Sequence, residues 1–142
     1  MAHIARQAQF IRVQAGGCPT GCTAADGYRL RAYETTYTIP RFNNSASQVT
    51  VVVLENATAS PASGTLWFWG SSGTLLASQA FVDLAQRASL VLNTTTIPAL
   101  LGQSGSVTVS HDAGYGGLRG KAVAVEPATG FTFDSPLTWR PR

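Results

Sequence analysis

Residues 48–55 read Gln-Val-Thr-Val-Val-Val-Leu-Glu and carry the clearest strand pattern in the chain. Side chains alternate between the two faces of a β-strand, so Val49, Val51 and Val53 would share one face. The opposite face would carry Thr50, Val52 and Leu54. Because β-branched residues are enriched in strands, this stretch predicts a β-strand.

The same pattern recurs along the chain at short intervals. It is found at residues 28–33, 65–69, 74–82, 87–93, 105–110, 119–126 and 131–133. Clusters of Gly, Ser, Asn and Pro separate these segments, and Ser71-Ser72-Gly73 predicts a tight hairpin in which Gly73 has a positive φ. Helical periodicity is limited to one candidate turn at residues 97–101. Seven or eight short strands with regular turns predict an all-β antiparallel sandwich with at most one short helical turn.

The composition agrees with a folded β domain and argues against other classes. Of 142 residues, 44% are hydrophobic and 12% are charged, about half of the roughly 25% charged residues in an average domain. One Lys and three Glu argue against a coiled coil, and the hydrophobic content argues against a disordered chain. The 16 Thr, 12 Ser and 14 Gly indicate a polar surface made mostly of hydroxyls and backbone.

Charge and hydropathy argue against two kinds of partner. The net charge is +3, but the basic residues form no consecutive block, so no nucleic-acid interface is predicted. No run of about 18 apolar residues occurs, so no membrane insertion is predicted. Residues 1–15 lack the apolar stretch of a signal peptide, so an exported protein is expected to appear here as an excised domain with an added Met1.

The two cysteines lie close together, in Cys18-Pro-Thr-Gly-Cys22. A closed zinc site needs four ligands, and the two histidines lie far away in sequence, at His3 and His111. The Pro and Gly between the cysteines supply a turn that brings the two sulfurs together. The pair therefore predicts a small disulfide loop and an oxidising compartment.

From residue 28 onward the chain contains several motifs that resemble those of a known family. They are Tyr37-Thr-Ile-Pro-Arg-Phe-Asn-Asn44, Val49–Asn56, Gly73-Thr-Leu-Leu-Ala77, Leu90-Val-Leu-Asn93, Ile97-Pro98, Gly105-Ser-Val-Thr-Val109 and the segment from Gly120 to Gly130. The chain resembles an immunoglobulin-like β-sandwich module found near the C-termini of large secreted or surface proteins of bacteria.

The resemblance implies a non-enzymatic structural or adhesion module, secreted or on the cell surface. It implies neighbouring domains or copies of the same chain as partners, and no catalytic residues. It covers residues 28–142, which we predict to be the sandwich domain. Residues 1–27 differ in composition and are predicted to be an N-terminal extension that contains the disulfide loop.

The residue types that could support catalysis are not arranged for it. Ser110-His111-Asp112 contains the three residue types of a hydrolase triad, but consecutive strand residues point to opposite faces. The seven acidic residues are scattered singly, so none is marked for glycoside hydrolysis or for calcium binding. We therefore predict no enzyme, no catalytic residue, no metal site and no cofactor.

Leu66-Trp-Phe-Trp69 is the stretch most informative about binding. Alternation places the leucine and the phenylalanine on one face and Trp67 and Trp69 on the other, whereas a sandwich strand has only one core face. One interpretation packs one of the two pairs in the core and the other pair under a loop or the N-terminal segment. The other interpretation leaves an aromatic ledge for carbohydrate or a partner domain, assisted by Gln79 or Arg87 if they lie nearby.

A further alternative is a filament or assembly subunit. In residues 4–13, Ile11 and Val13 alternate with Phe10 and Arg12, which is typical of a strand. Such a segment would add to the edge of a neighbour's sheet. Phe10, Ile11 and Val13 are therefore the predicted assembly residues.

Three Asn-x-Ser/Thr patterns occur, at Asn43, Asn56 and Asn93. Each satisfies the N-glycosylation pattern, but chance matches are expected in a chain so rich in Ser and Thr. We predict that these asparagines are turn residues.

Overall fold

The computed structural model describes residues 36–139. The N-terminal extension at 1–27, the strand at 28–33 and the predicted assembly residues Phe10, Ile11 and Val13 lie outside this part of the chain. The predicted disulfide between Cys18 and Cys22 does so too. These four expectations therefore stay predictions.

Nine strands and two short 3₁₀ turns make up the described part of the chain. The strands are β1 (Thr36–Asn43), β2 (Val49–Asn56), β3 (Ala62–Gly70), β4 (Leu75–Leu84), β5 (Ser89–Asn93), β6 (Ser104–His111), β7 (Leu118–Glu126), β8 (Phe131–Pro136) and β9 (Thr138–Trp139). The 3₁₀ turns, Thr94–Thr96 and Pro98–Leu100, follow β5. Proline occupies the start of the second turn, where its missing N–H and its fixed φ are tolerated.

The strands form two antiparallel sheets that pack face to face. One sheet has five strands in the order β4-β3-β6-β1-β9, and the other has four in the order β5-β2-β7-β8. The predicted all-β antiparallel sandwich is confirmed. Seven of the nine described strands, β2 to β8, correspond to predicted segments. The other two, β1 and the two-residue β9, were not predicted because they lack a strong alternating pattern. The predicted hairpin is also found, with Gly73 at φ 81°.

The core is built mainly from the inward faces of β1, β2, β3 and β6, and β4 and β7 add Phe81, Leu118 and Ala122. Its largest fully buried side chains include Ile39, Phe42, Val52, Leu54, Leu66, Phe68, Val107 and Val109. Each such side chain contributes about 1.5–3 kcal/mol through burial. On β2 the inward face is the one that carries Thr50, and the three odd-numbered valines lie on the outer surface, half-buried.

Buried polar side chains close one end of the sandwich. Thr50 is fully buried, and its hydroxyl donates to the carbonyl of Asn43 at 2.8 Å. The side-chain oxygen of Asn44 accepts from the backbone N–H of Thr50 at 2.9 Å and from the hydroxyl of Thr94 at 2.9 Å. The side-chain amide of Asn44 donates to the carbonyl of Leu100 at 3.2 Å. These bonds tie β1, β2 and the 3₁₀ turns together.

The three Asn-x-Ser/Thr patterns form the same local structure. In each, the Asn side-chain oxygen accepts from the backbone N–H and from the hydroxyl of the residue two positions later, at 2.6–3.0 Å. This is the Asx-turn geometry that Asn adopts where a strand ends. Asn43 and Asn56 are buried, whereas Asn93 is exposed. The pattern therefore has a structural explanation, as predicted.

Candidate binding face

The outer surface of the five-stranded sheet is defined by the register of β3 and β6. Thr65, Trp67 and Trp69 on β3 pair with hydroxyl residues on β6, namely Ser110, Thr108 and Ser106. Neighbouring strands add Thr36, which is buried, and Thr38, Ser78 and Ala80 to the same side. We call this surface, made of these ten residues, the indole face. None of its ten positions carries a charged side chain.

Hydrogen bonds hold the two indoles in the same orientation. Trp67 pairs with Thr108 across the strands, but its Nε1–H donates to the hydroxyl of Ser110 at 3.3 Å. Trp69 pairs with Ser106, and its Nε1–H donates to the hydroxyl of Thr108 at 3.1 Å. Each ring therefore reaches diagonally across β6 to the residue two positions beyond its direct partner. Because both N–H groups are already bonded, what each half-buried ring still offers to a ligand is its apolar surface.

An open depression of about 430 Å³ continues the indole face beyond Trp67. Residues of β3, β4 and β6 line it: Ser63, Gly64, Thr65, Ala80, Phe81, Val82, Ser110, His111 and Asp112. Gly64 allows two backbones to approach closely here, because a Cβ at this position would lie 2.2 Å from the carbonyl oxygen of Ser110. The same Cβ would lie 2.6 Å from the ring of Phe81. A side chain at Gly64 would therefore displace two residues that line the depression.

The polar rim of the depression is fixed by short hydrogen bonds. The Oδ1 atom of Asp112 accepts from the backbone N–H of Ser63 at 2.7 Å, and the backbone N–H of Asp112 donates to the Ser63 carbonyl at 3.0 Å. The hydroxyl of Ser63 accepts from the backbone N–H of Asp83 at 3.0 Å. Asp112 is exposed to solvent, and the bond to Ser63 holds its carboxylate in position.

The residues Ser110, His111 and Asp112 do not form a hydrolase triad. Ser110 lies on the indole face and accepts from Trp67, whereas His111 is buried on the core side. Neither ring nitrogen of His111 has a hydrogen-bond partner within the described residues. Burial lowers the pKa of His111, and the nearby Asp112 carboxylate opposes this shift more weakly. Strand alternation separates these side chains, as predicted.

A stack of aromatic rings lies at the end of the sandwich next to His111. The ring of Tyr37 lies 5.1 Å from that of His111 and 4.4 Å from that of Trp139, measured between centroids. Trp139 in turn stacks on Tyr115 at 4.2 Å. Burial raises the pKa of Tyr37, and the backbone near Gly116 partly offsets this shift. The four rings come from β1, β6, β9 and the β6–β7 loop, and no sequence spacing marks them as a group.

Neither of the two polar neighbours considered for the aromatic ledge lies beside it. Gln79 pairs with Leu66, so it lies on the side of the sheet opposite to Trp67, and the condition that it lie near the ledge is not met. Arg87 lies in the turn between β4 and β5 and does not line the depression. Sequence reasoning did not identify Ser63 and Asp112 as neighbours of the ledge, because the register between β3 and β6 that brings them together is not visible in a local pattern.

Residues 36–139 contain neither a cluster of metal-ligating side chains nor a helix of membrane-spanning length. No group of three His, Asp or Glu side chains in this range is close enough to hold a metal ion. No helix in this range is long and apolar enough to cross a lipid bilayer.

The fold and the indole face define the class of this protein as an all-β antiparallel sandwich domain. No protein family matches the sequence, and no curated protein does. The structure is similar to the crystal structure of Thermotoga maritima 1070, with a TM-score of 0.63. The similarity covers 75% of this chain and 95% of that chain, at 9% sequence identity. Similarity at this identity shows the fold alone.

Proposed function

We propose that this domain is a non-enzymatic structural or adhesion module of an extracellular bacterial protein. The observation that carries the adhesion role is the indole face, where the partly buried Trp67 and Trp69 present their remaining ring surface beside uncharged, hydroxyl-bearing neighbours. Exposed aromatic surface on a soluble domain usually marks an interaction site. Tryptophan also supplies a large share of the binding energy at many interfaces.

The proposed immunoglobulin-like character is supported by part of the strand pairing. The neighbours β2–β5 and β3–β6 agree with the central pairings of immunoglobulin sandwiches, and β3–β4 agrees with the extra strand that variable-type domains add beside the third strand. The first and seventh strands differ, since β1 lies beside β6 and β7 lies beside β2. In an immunoglobulin domain the first strand extends the sheet of the second, and the seventh extends that of the sixth. We therefore propose that this domain is a variant of the immunoglobulin-like module.

Attachment of the full chain to surfaces tests the adhesion role. Microspheres that carry the chain are expected to attach to polysaccharide-coated or protein-coated surfaces under flow. The double variant Trp67→Ala/Trp69→Ala should reduce attachment, whereas Trp139→Ala should leave it unchanged, because Trp139 lies in the aromatic stack at the end of the sandwich. Equal attachment by all three proteins, or none by the wild type, contradicts adhesion through the indole face.

A second candidate function is carbohydrate binding, which the orientation of the two indoles favours. Their N–H groups are bonded to Ser110 and Thr108, so the rings offer apolar surface to a ligand. Competition by soluble oligosaccharides in the attachment experiment tests this candidate. Filament assembly through Phe10, Ile11 and Val13 stays a prediction, since it depends on residues outside the described part of the chain.

A further inference from the structure

We propose that the indole face and the adjoining depression form one groove that binds a neutral oligosaccharide, with Asp112 as the hydrogen-bond acceptor at its polar end. This inference rests on the proposed adhesion through the indole face. It adds the chemical class of the ligand and the line along β3 that the ligand follows. The groove follows β3 from Trp69 through Trp67 and Thr65 to Ser63, four alternate positions on one side of the strand.

The two features are continuous because they share residues. Thr65 and Ser110 belong to the indole face and also line the depression. The hydrogen bond from Trp67 to Ser110 places the edge of this indole beside the depression. At about 3.4 Å per strand residue, the line from Trp69 to Ser63 is about 20 Å long. A ligand that follows it must be extended.

The apolar part of the groove suits the flat face of a sugar ring. Pyranose rings present C–H groups on their faces and hydroxyls around their edges. The surfaces of Trp67 and Trp69 can contact those faces, while the hydroxyls at Ser106, Thr108 and Ser110 lie beside the rings. Ligand sites commonly combine apolar and aromatic walls with a few fixed polar groups.

The polar end of the groove supplies an acceptor in a fixed position. One oxygen of Asp112 is bonded to the backbone N–H of Ser63, and among the described residues its second oxygen has no hydrogen-bond partner. A carboxylate accepts hydrogen bonds only, which suits the hydroxyl donors of a sugar. Val82, whose side chain is 74% exposed, forms an apolar wall opposite.

The charges around the groove favour a neutral ligand over an acidic one. Asp112 lines the depression, and Asp83 adjoins it through its bond to Ser63. No Arg or Lys of the described residues lines the depression. Arg119 and Lys121 lie on β7, in the other sheet. A uronic acid or sulfated sugar would therefore meet negative charge without compensation.

Titration of the full chain with defined oligosaccharides tests the groove. The neutral probes are cellohexaose, maltohexaose and β-1,4-mannohexaose, the acidic probe is hexagalacturonic acid, and the readout is calorimetry together with tryptophan fluorescence. We expect at least one neutral probe to bind and to change the fluorescence. Trp67→Ala and Trp69→Ala should each weaken binding by about tenfold or more. Asp112→Asn should weaken it by about tenfold, since a charged acceptor is lost.

Two controls keep the result interpretable. Trp139→Ala is a matched tryptophan variant outside the groove and should bind like the wild type. Circular dichroism should show that each variant folds. If Trp67→Ala does not fold, Trp67→Phe takes its place, because it retains an aromatic ring. A second measurement then uses the wild type: a sugar bound to the indole face should protect the tryptophan fluorescence from quenching by acrylamide.

Each other outcome overturns the proposal in a distinguishable way. If the tryptophan variants lose binding but Asp112→Asn does not, the depression is not part of the site, and adhesion through the indole face stands. If hexagalacturonic acid binds as well as the neutral probes, the charge argument is wrong. If no neutral probe binds, the proposed ligand class is wrong, and the microsphere experiment decides the adhesion function separately.

Discussion

Asn56 is expected to be the polar side chain whose loss costs the domain most. It is fully buried at the end of β2. Its Nδ2 group donates to the carbonyls of Ser60 at 2.7 Å and Leu84 at 2.8 Å. Its Oδ1 accepts from the backbone N–H of Thr58 at 3.0 Å and from the Thr58 hydroxyl at 2.7 Å. One side chain therefore joins β2, the β2–β3 loop and the end of β4.

The magnitude follows from these four bonds. A typical intramolecular hydrogen bond contributes about 1 kcal/mol net, so Asn56→Ala should lower the free energy of unfolding by about 4 kcal/mol. A domain of about 100 residues loses about 4–8 °C in melting temperature per kcal/mol, which gives a decrease of about 15–30 °C. Thermal unfolding by circular dichroism, with urea titration at 25 °C, measures both quantities.

Asn93→Ala is the matched control for this prediction. Asn93 forms the same Asx turn with Thr95, but it is exposed and its side-chain amide makes no comparable bonds within the described residues. Loss of such a cap costs about 1 kcal/mol. Asn56→Asp retains the acceptor but turns an oxygen toward two carbonyls, so it should destabilise at neutral pH as well. The reasoning is refuted if Asn56→Ala and Asn93→Ala have equal effects, or if Asn56→Asp matches the wild type.

Three further predictions concern stability. The folded-state pKa of His111 is lowered by burial, so the unfolded chain takes up its proton first as the pH falls through about 6.5, and stability should decrease below that pH. His111→Phe retains a ring beside Tyr37, and its urea midpoint should decrease less between pH 7.5 and 5 than that of the wild type. If the variant and the wild type have the same pH profile, the role of His111 is contradicted. Gly64→Ala should destabilise by about 1–3 kcal/mol because its Cβ meets backbone, whereas Gly114→Ala, with nothing within 4 Å, should stay within about 0.5 kcal/mol in the same urea titration. The ion pair of Lys121 and Asp134 is half-exposed, so Lys121→Ala should lower the free energy of unfolding by less than about 1 kcal/mol. Because 1 M NaCl reduces the screening length to roughly 3 Å, a larger loss that persists at this salt concentration would contradict the prediction.

The sequence by itself determined the secondary structure and the class of fold. Alternating β-branched segments and Gly-rich turns predicted seven of the nine described strands, and positive φ at Gly73 followed from its place in a two-strand turn. The alternation in residues 66–69 also placed both tryptophans on one side of β3, but only the structure shows that the side of Leu66 and Phe68 is the one that faces the core. These features are local, because they depend on residues a few positions apart.

The tertiary structure decided which face of β2 is buried and which residues surround Trp67. Hydropathy favoured neither face of β2 strongly; Thr50 lies inside because Asn43, Asn44 and Thr94 satisfy its polar groups there. The meeting of β3 with β6 brings Ser63 beside Asp112, which lies 49 positions away. Strand order and register depend on contacts between distant segments, so no local pattern encodes them. The groove proposed for a neutral oligosaccharide is a consequence of that register.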